Sequence, residues 1–213
     1  MTMNSNKRML AVLFALSLLF CACTGDAAAG FRAVDFQNGY SVWRTIGSDY
    51  ATFANELSSE DEKEQIVRLI EKQEIYREMD PDRDCLDSLK ADGDESADKK
   101  PFYSVWFDCG EAAYRVDNWP KMLKAPGPSW EKLPIWQEKQ RQENMLWVWR
   151  IDMTGLKTWE ERLRRICVSD LQKYMEDGTS TGWYATVSDE DWETLLHLLT
   201  EAEMGETVQV PSY

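Results

Sequence analysis

Histidine is nearly missing from this chain: His197 is the only one in 213 residues. A Ser-His-Asp or Cys-His mechanism would have to rest on that single side chain. It falls in a helical pattern off the apolar stripe of Trp192, Leu195, Leu196 and Leu199, with Glu193 and Glu201 one turn to either side. That placement suits an exposed histidine held by i,i+4 charge pairs; a carboxylate-paired base or a weak metal site is the functional alternative. Also missing are G-x-S-x-G, H-E-x-x-H, a Walker loop and G-x-G-x-x-G. Their absence counts against hydrolases of the first kind, zincins, P-loop NTPases and dinucleotide-binding dehydrogenases. Carboxylate pairs of the glycosidase type are defined by distance in space, and 38 acidic residues offer too many candidates to choose among. No catalytic residue, metal ligand or cofactor is therefore assigned.

Positive charge is scarce as well. Lys and Arg number 24 against 38 Asp and Glu, for a net charge of -14. Such a surface repels nucleic acid and anionic lipid headgroups, and it accelerates association with a cationic protein. The same balance keeps an exported protein soluble. Cysteine is sparse: of five, Cys21 and Cys23 lie near the N-terminus and Cys85, Cys109 and Cys167 remain. No two of these three are spaced as a C-x-x-C metal or redox site. In an oxidising compartment one pair should bond and one thiol stay free. Cys85 and Cys109 flank a polar loop, and bridging them would stabilise the fold by roughly 3 kcal/mol in the chain-entropy model. Cys167 shares a helical stripe with Leu163, Ile166, Leu171 and Tyr174, where a thiol behaves as a small hydrophobe.

One apolar run stands out, residues 9–20 (MLAVLFALSLLF), preceded by Lys7 and Arg8. A membrane-spanning helix needs about twenty residues, whereas a basic n-region with a run of this length has the form of an export signal. Two processing sites compete. Phe20-Cys21-Ala22-Cys23 resembles the lipobox of bacterial lipoproteins, with a small residue before Cys23 and an apolar one three before it. The resemblance implies that Cys23 is the lipidated N-terminus. Thr24 stands where Asp would mark inner-membrane retention, so an outer-membrane lipoprotein facing the periplasm is implied. The rival is Ala27-Ala28-Ala29, an A-x-A site that would release a secreted soluble chain from Gly30; a eukaryotic secretion route would also explain the leader. We favour the lipoprotein. Residues 1–22 are then an export signal, 23–30 a short linker and 31–213 a single domain, touching the membrane only through its lipid.

Within that domain, residues 31–36 and 40–46 flank Asn38-Gly39, a hairpin signal. Ser48 heads a short helix over 49–57. Ser59 and Glu62 form a capping box for a longer helix reaching Met79, with Ile66, Leu69, Ile70 and Tyr76 on one side. Residues 91–100 hold no bulky apolar side chain and read as a mobile loop. Residues 102–109 form a strand whose hairpin partner starts near Glu111. Four prolines and three tryptophans (Trp119, Trp130, Trp136) mark an irregular excursion over 119–136. A strand follows at 145–151, with Trp147, Trp149 and Ile151 on one face. Thr158 and Glu161 cap a helix to Glu176, stopped by Gly178. It carries Arg162, Arg164, Arg165 and Lys173, a basic side suited to pairing with acidic segments. Residues 183–187 form a strand, Ser188 caps a helix over 189–204, and 207–210 form a last strand.

This order gives an α+β single domain, a mostly antiparallel sheet with three to four helices packed on it; a parallel crossover near the C-terminus stays open. The function expected is non-enzymatic: an acidic, exported protein that binds another, basic protein, as immunity- or inhibitor-type envelope lipoproteins do. Trp119, Trp130 and Trp136 are the candidate contact residues, since proline-rich surface chain has less core to offer such rings. A glycan- or small-ligand-binding module using the same tryptophans is the alternative, and a carboxylate-based hydrolase comes last.

Overall fold

Strands here alternate between two buried faces, and that alternation organises the molecule. The computed structural model describes residues 31, 33–46, 53–80, 103–119, 121, 139, 142–167 and 178–210. Its strands are β1 (Ser41–Ile46), β2 (Phe53–Leu57), β3 (Glu74–Glu78), β4 (Tyr103–Asp108), β5 (Ala112–Trp119), β6 (Asn144–Asp152), β7 (Ser180–Val187) and β8 (Met204–Gln209). Its α-helices are α1 (Glu60–Glu71), α2 (Trp159–Cys167) and α3 (Asp189–Glu201). The strands join one open sheet in the order β3-β7-β6-β5-β4-β1-β2-β8. Every pairing is antiparallel, so the C-terminal part contains no parallel crossover. After β7 the chain instead runs through α3 to the opposite edge, where β8 pairs with β2.

Both faces of the sheet are covered. Leu146 and Val148 of β6 join Val42, Val105, Phe107 and Val116 under α1 and α3, which contribute Ile66, Leu69 and Ile70, and Trp192, Leu195 and Leu199. Trp147, Trp149 and Ile151 of the same strand join Trp43 and Trp106 on the other face, where α2 contributes Leu163 and Ile166. Each such side chain contributes about 1.5–3 kcal/mol by leaving water. Trp106 and Tyr103 face opposite ways along β4, as their spacing requires.

Local capping chemistry sets several helix starts. Glu161 accepts from the Thr158 amide at 3.0 Å while its own amide donates to Thr158 Oγ1 at 3.2 Å, a closed capping box. Ser188 Oγ accepts from Asp191 N at 3.2 Å. Ser59 Oγ accepts from Glu62 N at 3.4 Å, but the Glu62 carboxylate turns away to take the Glu203 amide at 3.0 Å, tying the start of α1 to the chain just after α3.

Four expectations are corrected. Residues 33–36 form a 3-10 turn and not a hairpin arm, and β1 pairs with β4 and β2. The turn is captured through Asp35, which accepts from Tyr114 Oη at 2.6 Å and Arg150 Nε at 2.8 Å. The expected short helix over 49–57 is, in its described part, strand β2, held between β1 and β8. Helix α1 ends at Glu71, and residues 74–78 pair with β7. Helix α3 ends at Glu201, so Met204 and Gly205 belong to β8. Residues 91–100, most of the excursion and the continuation of α2 toward Glu176 lie outside the described residues.

Candidate functional site

Of the three tryptophans proposed as contacts, Trp119 ends β5 half-buried, its ring stacked on Trp147 at 4.7 Å. Trp130 and Trp136 lie outside the described residues, as do Cys23 and Cys85 and with them the lipidation site and the expected bridge. Cys109 is buried just past β4, its amide bonded to the Ala112 carbonyl at 2.9 Å. Cys167 is the last residue of α2. His197 is exposed on α3, off the core stripe, as its spacing implied. Arg162 of the basic helix side engages Asp108 and the Gly110 carbonyl, clamping α2 to the β4–β5 turn.

Charge is laid out on the outer surface of the α1–α3 layer. Contacts at both ends hold the two helices antiparallel: Lys72 Nζ meets Asp191 at 2.6 Å, and Glu62 meets the Glu203 amide. The Lys72 hydrogen bond holds the Asp191 carboxyl below its ordinary value. Exposed on α1 are Glu60, Asp61, Glu64 and Glu71; exposed on α3 are Asp189, Glu190, Glu193 and Glu201. Arg68 is the exposed cation within α1, paired with Glu64 at 2.7 Å, and Lys72 follows it. Lys63 is buried and offsets the charge of Glu60 at 2.8 Å, and Lys121 does the same for Asp189 at 2.7 Å. These carboxylates also sit at the starts of both helices, where the helix dipole favours them.

At one side of this layer the N-terminal segment and α1 enclose a groove of about 310 Å³. Phe31 and Phe36 stack at 5.1 Å, and Tyr40 meets Phe36 edge-on at 5.1 Å with the planes at 85°. The two phenylalanines rest on Phe107 and Tyr114, and the Asp35 contacts pin the turn between them. Val67, Glu64, Arg68 and Glu71 form the α1 side. Burial pushes the Tyr40 hydroxyl above its ordinary value, and the Glu64 and Glu60 charges add to the shift. Sequence reasoning missed this groove because it placed residues 31–46 in a hairpin; the one available signal was the density of aromatics before β1.

The opposite face holds a buried polar chain. Trp106 Nε1 donates to Ser104 Oγ at 2.9 Å, Ser104 Oγ donates to Asp117 Oδ1 at 2.5 Å, and Arg115 Nε reaches both Asp117 oxygens at 3.1 Å. Serine, carboxylate and guanidinium satisfy one another, which is how polar groups are tolerated inside a core. Among the described residues no group of three or more His, Cys, Asp or Glu is arranged to hold a metal ion, and no helix is long and apolar enough to cross a membrane. Compared with protein-family models, curated proteins and solved structures, the chain matches none. Function has to be read from this geometry.

Proposed function

We propose that this is an exported, lipid-anchored, non-enzymatic binding protein whose target is a basic protein, of the immunity or inhibitor type. The observation that carries the reading is the outer surface of the α1–α3 layer, where eight exposed carboxylates from two helices outnumber the four cations set against them, Arg68 on Glu64, Lys72 on Asp191, Lys63 on Glu60 and Lys121 on Asp189. A concentrated field of one sign steers an oppositely charged partner and raises its association rate, and rejects anionic surfaces and nucleic acid. The leader supports export, and Cys23 with its lipobox-like approach supports the anchor. Residues 23–31 span at most roughly 3.5 Å each, so the domain would start within about 30 Å of the membrane.

The deciding experiment is capture from a cell-envelope extract, repeated at high salt and with Glu190 and Glu193 changed to Gln. One basic protein retained at low salt, released by salt and weakened by E190Q/E193Q is expected. Capture indifferent to salt, or retention on polysaccharide with a change in tryptophan fluorescence, would overturn the reading.

A further inference from the structure

We infer that the groove between the N-terminal segment and α1 receives a cationic side chain, arginine or lysine, from a basic partner protein; this rests on the binding role proposed above. Three observations converge on it. Phe36 and Tyr40 meet at 85°, so two ring systems form a corner beside α1. Ring faces carry the negative end of the aromatic quadrupole, and a cation gains most where more than one ring is within reach.

The groove's other side is acidic. Glu64 and Glu71 stand two turns apart on the same side of α1, with Val67 between them. Glu71 has no ion pair among the described residues, and the Glu64–Arg68 pair is exposed on both sides. An exposed pair of that kind is weakly held and exchangeable, so an incoming cation can compete with Arg68 for Glu64. An anionic ligand would meet both carboxylates, and a purely apolar one would strip water from them without compensation.

The third observation is preorganisation. Phe31 and Phe36 are seated on buried Phe107 and Tyr114, and Asp35 is fixed by Tyr114 and Arg150. The rings are thus ordered before anything binds, which removes part of the entropic cost of association. A space of about 310 Å³ has room for a side chain rather than a folded surface.

The test uses the full mature chain, aromatic-side-chain NMR, and the probe acetyl-Gly-Arg-Gly-Arg-Gly-amide beside its neutral citrulline counterpart. Binding of the arginine peptide should move Phe31, Phe36, Tyr40 and Val67 signals, and the citrulline peptide should leave them in place. The double variant E64Q/E71Q should bind about fivefold more weakly, the size expected of partly exposed charge contacts. V67W, which fills the groove, should lose the shifts; if that variant fails to fold, E64Q/E71Q alone decides. Equal binding of the citrulline peptide overturns the inference, and so does unchanged affinity in E64Q/E71Q with shifts spread along α1 and α3. If capture of the basic protein stays salt-sensitive while groove variants leave it unchanged, the groove assignment falls and the acidic surface stands. Salt-insensitive capture would instead remove the proposed function itself.

Discussion

Arg44 shows how a single residue can carry charge into this core. It is 8 % exposed, and its guanidinium donates to the carbonyls of Leu199 and Thr200 in the last turn of α3. Its cationic head therefore sits at the negative end of the helix dipole, with burial pushing its pKa below the ordinary value. Arg44→Ala should cost about 2–4 kcal/mol in chemical denaturation, from lost packing and stranded carbonyls. Arg44→Met, which keeps the volume without the charge, should cost about 1 kcal/mol or less; equal losses would mean that the carbonyl contacts, which both variants lose, carry the whole effect and the packing of the side-chain stem none of it. Cys109 gives a different expectation. In the reduced protein burial pushes its thiol from an ordinary 9.0 to about 12, with Asp35 and Asp108 adding to the shift. Between those values the folded state binds more protons than the unfolded one. The thiol's contribution is thus whole below pH 9 and is lost as pH climbs toward about 12. Alkaline denaturation of reduced protein should show this component, and Cys109→Ala should lack it. The proposed bridge to Cys85 would abolish the titration, and non-reducing peptide mapping would find the joined peptides.

At the scale of elements, the N-terminal turn depends on one carboxylate. Asp35 holds Arg150 and Tyr114, and the Asp35 hydrogen bond raises the Arg150 pKa. Asp35→Ala leaves a partly buried guanidinium without its countercharge, so a loss of about 2–3 kcal/mol is expected. Phe31 and Phe36 should broaden or shift in NMR spectra, while the α2 side of the sheet stays unchanged. An unaltered Phe36 environment would show that ring packing alone positions the turn. The two sheet edges are protected unequally. β3 ends one edge with Glu74, Arg77 and Glu78, whereas β8 carries only Glu206 as a charge. Charged side chains on an edge strand discourage pairing with another chain. Glu206→Val should therefore raise self-association in sedimentation measurements far more than Glu74→Val does.

For the whole molecule, address and surface are tested separately. Cys23→Ser should abolish lipid labelling and move the protein from membrane to soluble fractions; a mature chain found to begin unmodified at Gly30 contradicts the anchor. Trp119 is stacked into the sheet margin, so truncating it should lower stability. Trp130 and Trp136 remain proposed contacts. Replacing both with Ala should weaken capture of the basic partner much more than it lowers the melting temperature. A stability loss of about 3–5 kcal/mol per ring would assign them to the core instead.

Sequence by itself determined those features whose causes lie within one turn or one strand. The Thr158–Glu161 box was legible because its donors and acceptors are neighbours, and β6 because its side chains alternate between two cores. The acidic character of the surface and the exposure of His197 follow from charge and helical spacing in the same way. Tertiary structure decided the rest. Residues 33–36 turn because Asp35 finds partners 79 and 115 residues along the chain. Phe53–Leu57 is a strand because β1 and β8 flank it, with Asn55 reaching Thr207 at a separation of 152 residues. Tyr76 continues the apolar stripe of α1 yet leaves the helix, since pairing of residues 74–78 with β7 completes the sheet. The groove exists only once the segment before β1 lies against α1. No local pattern records a contact whose free energy comes from residues that far apart.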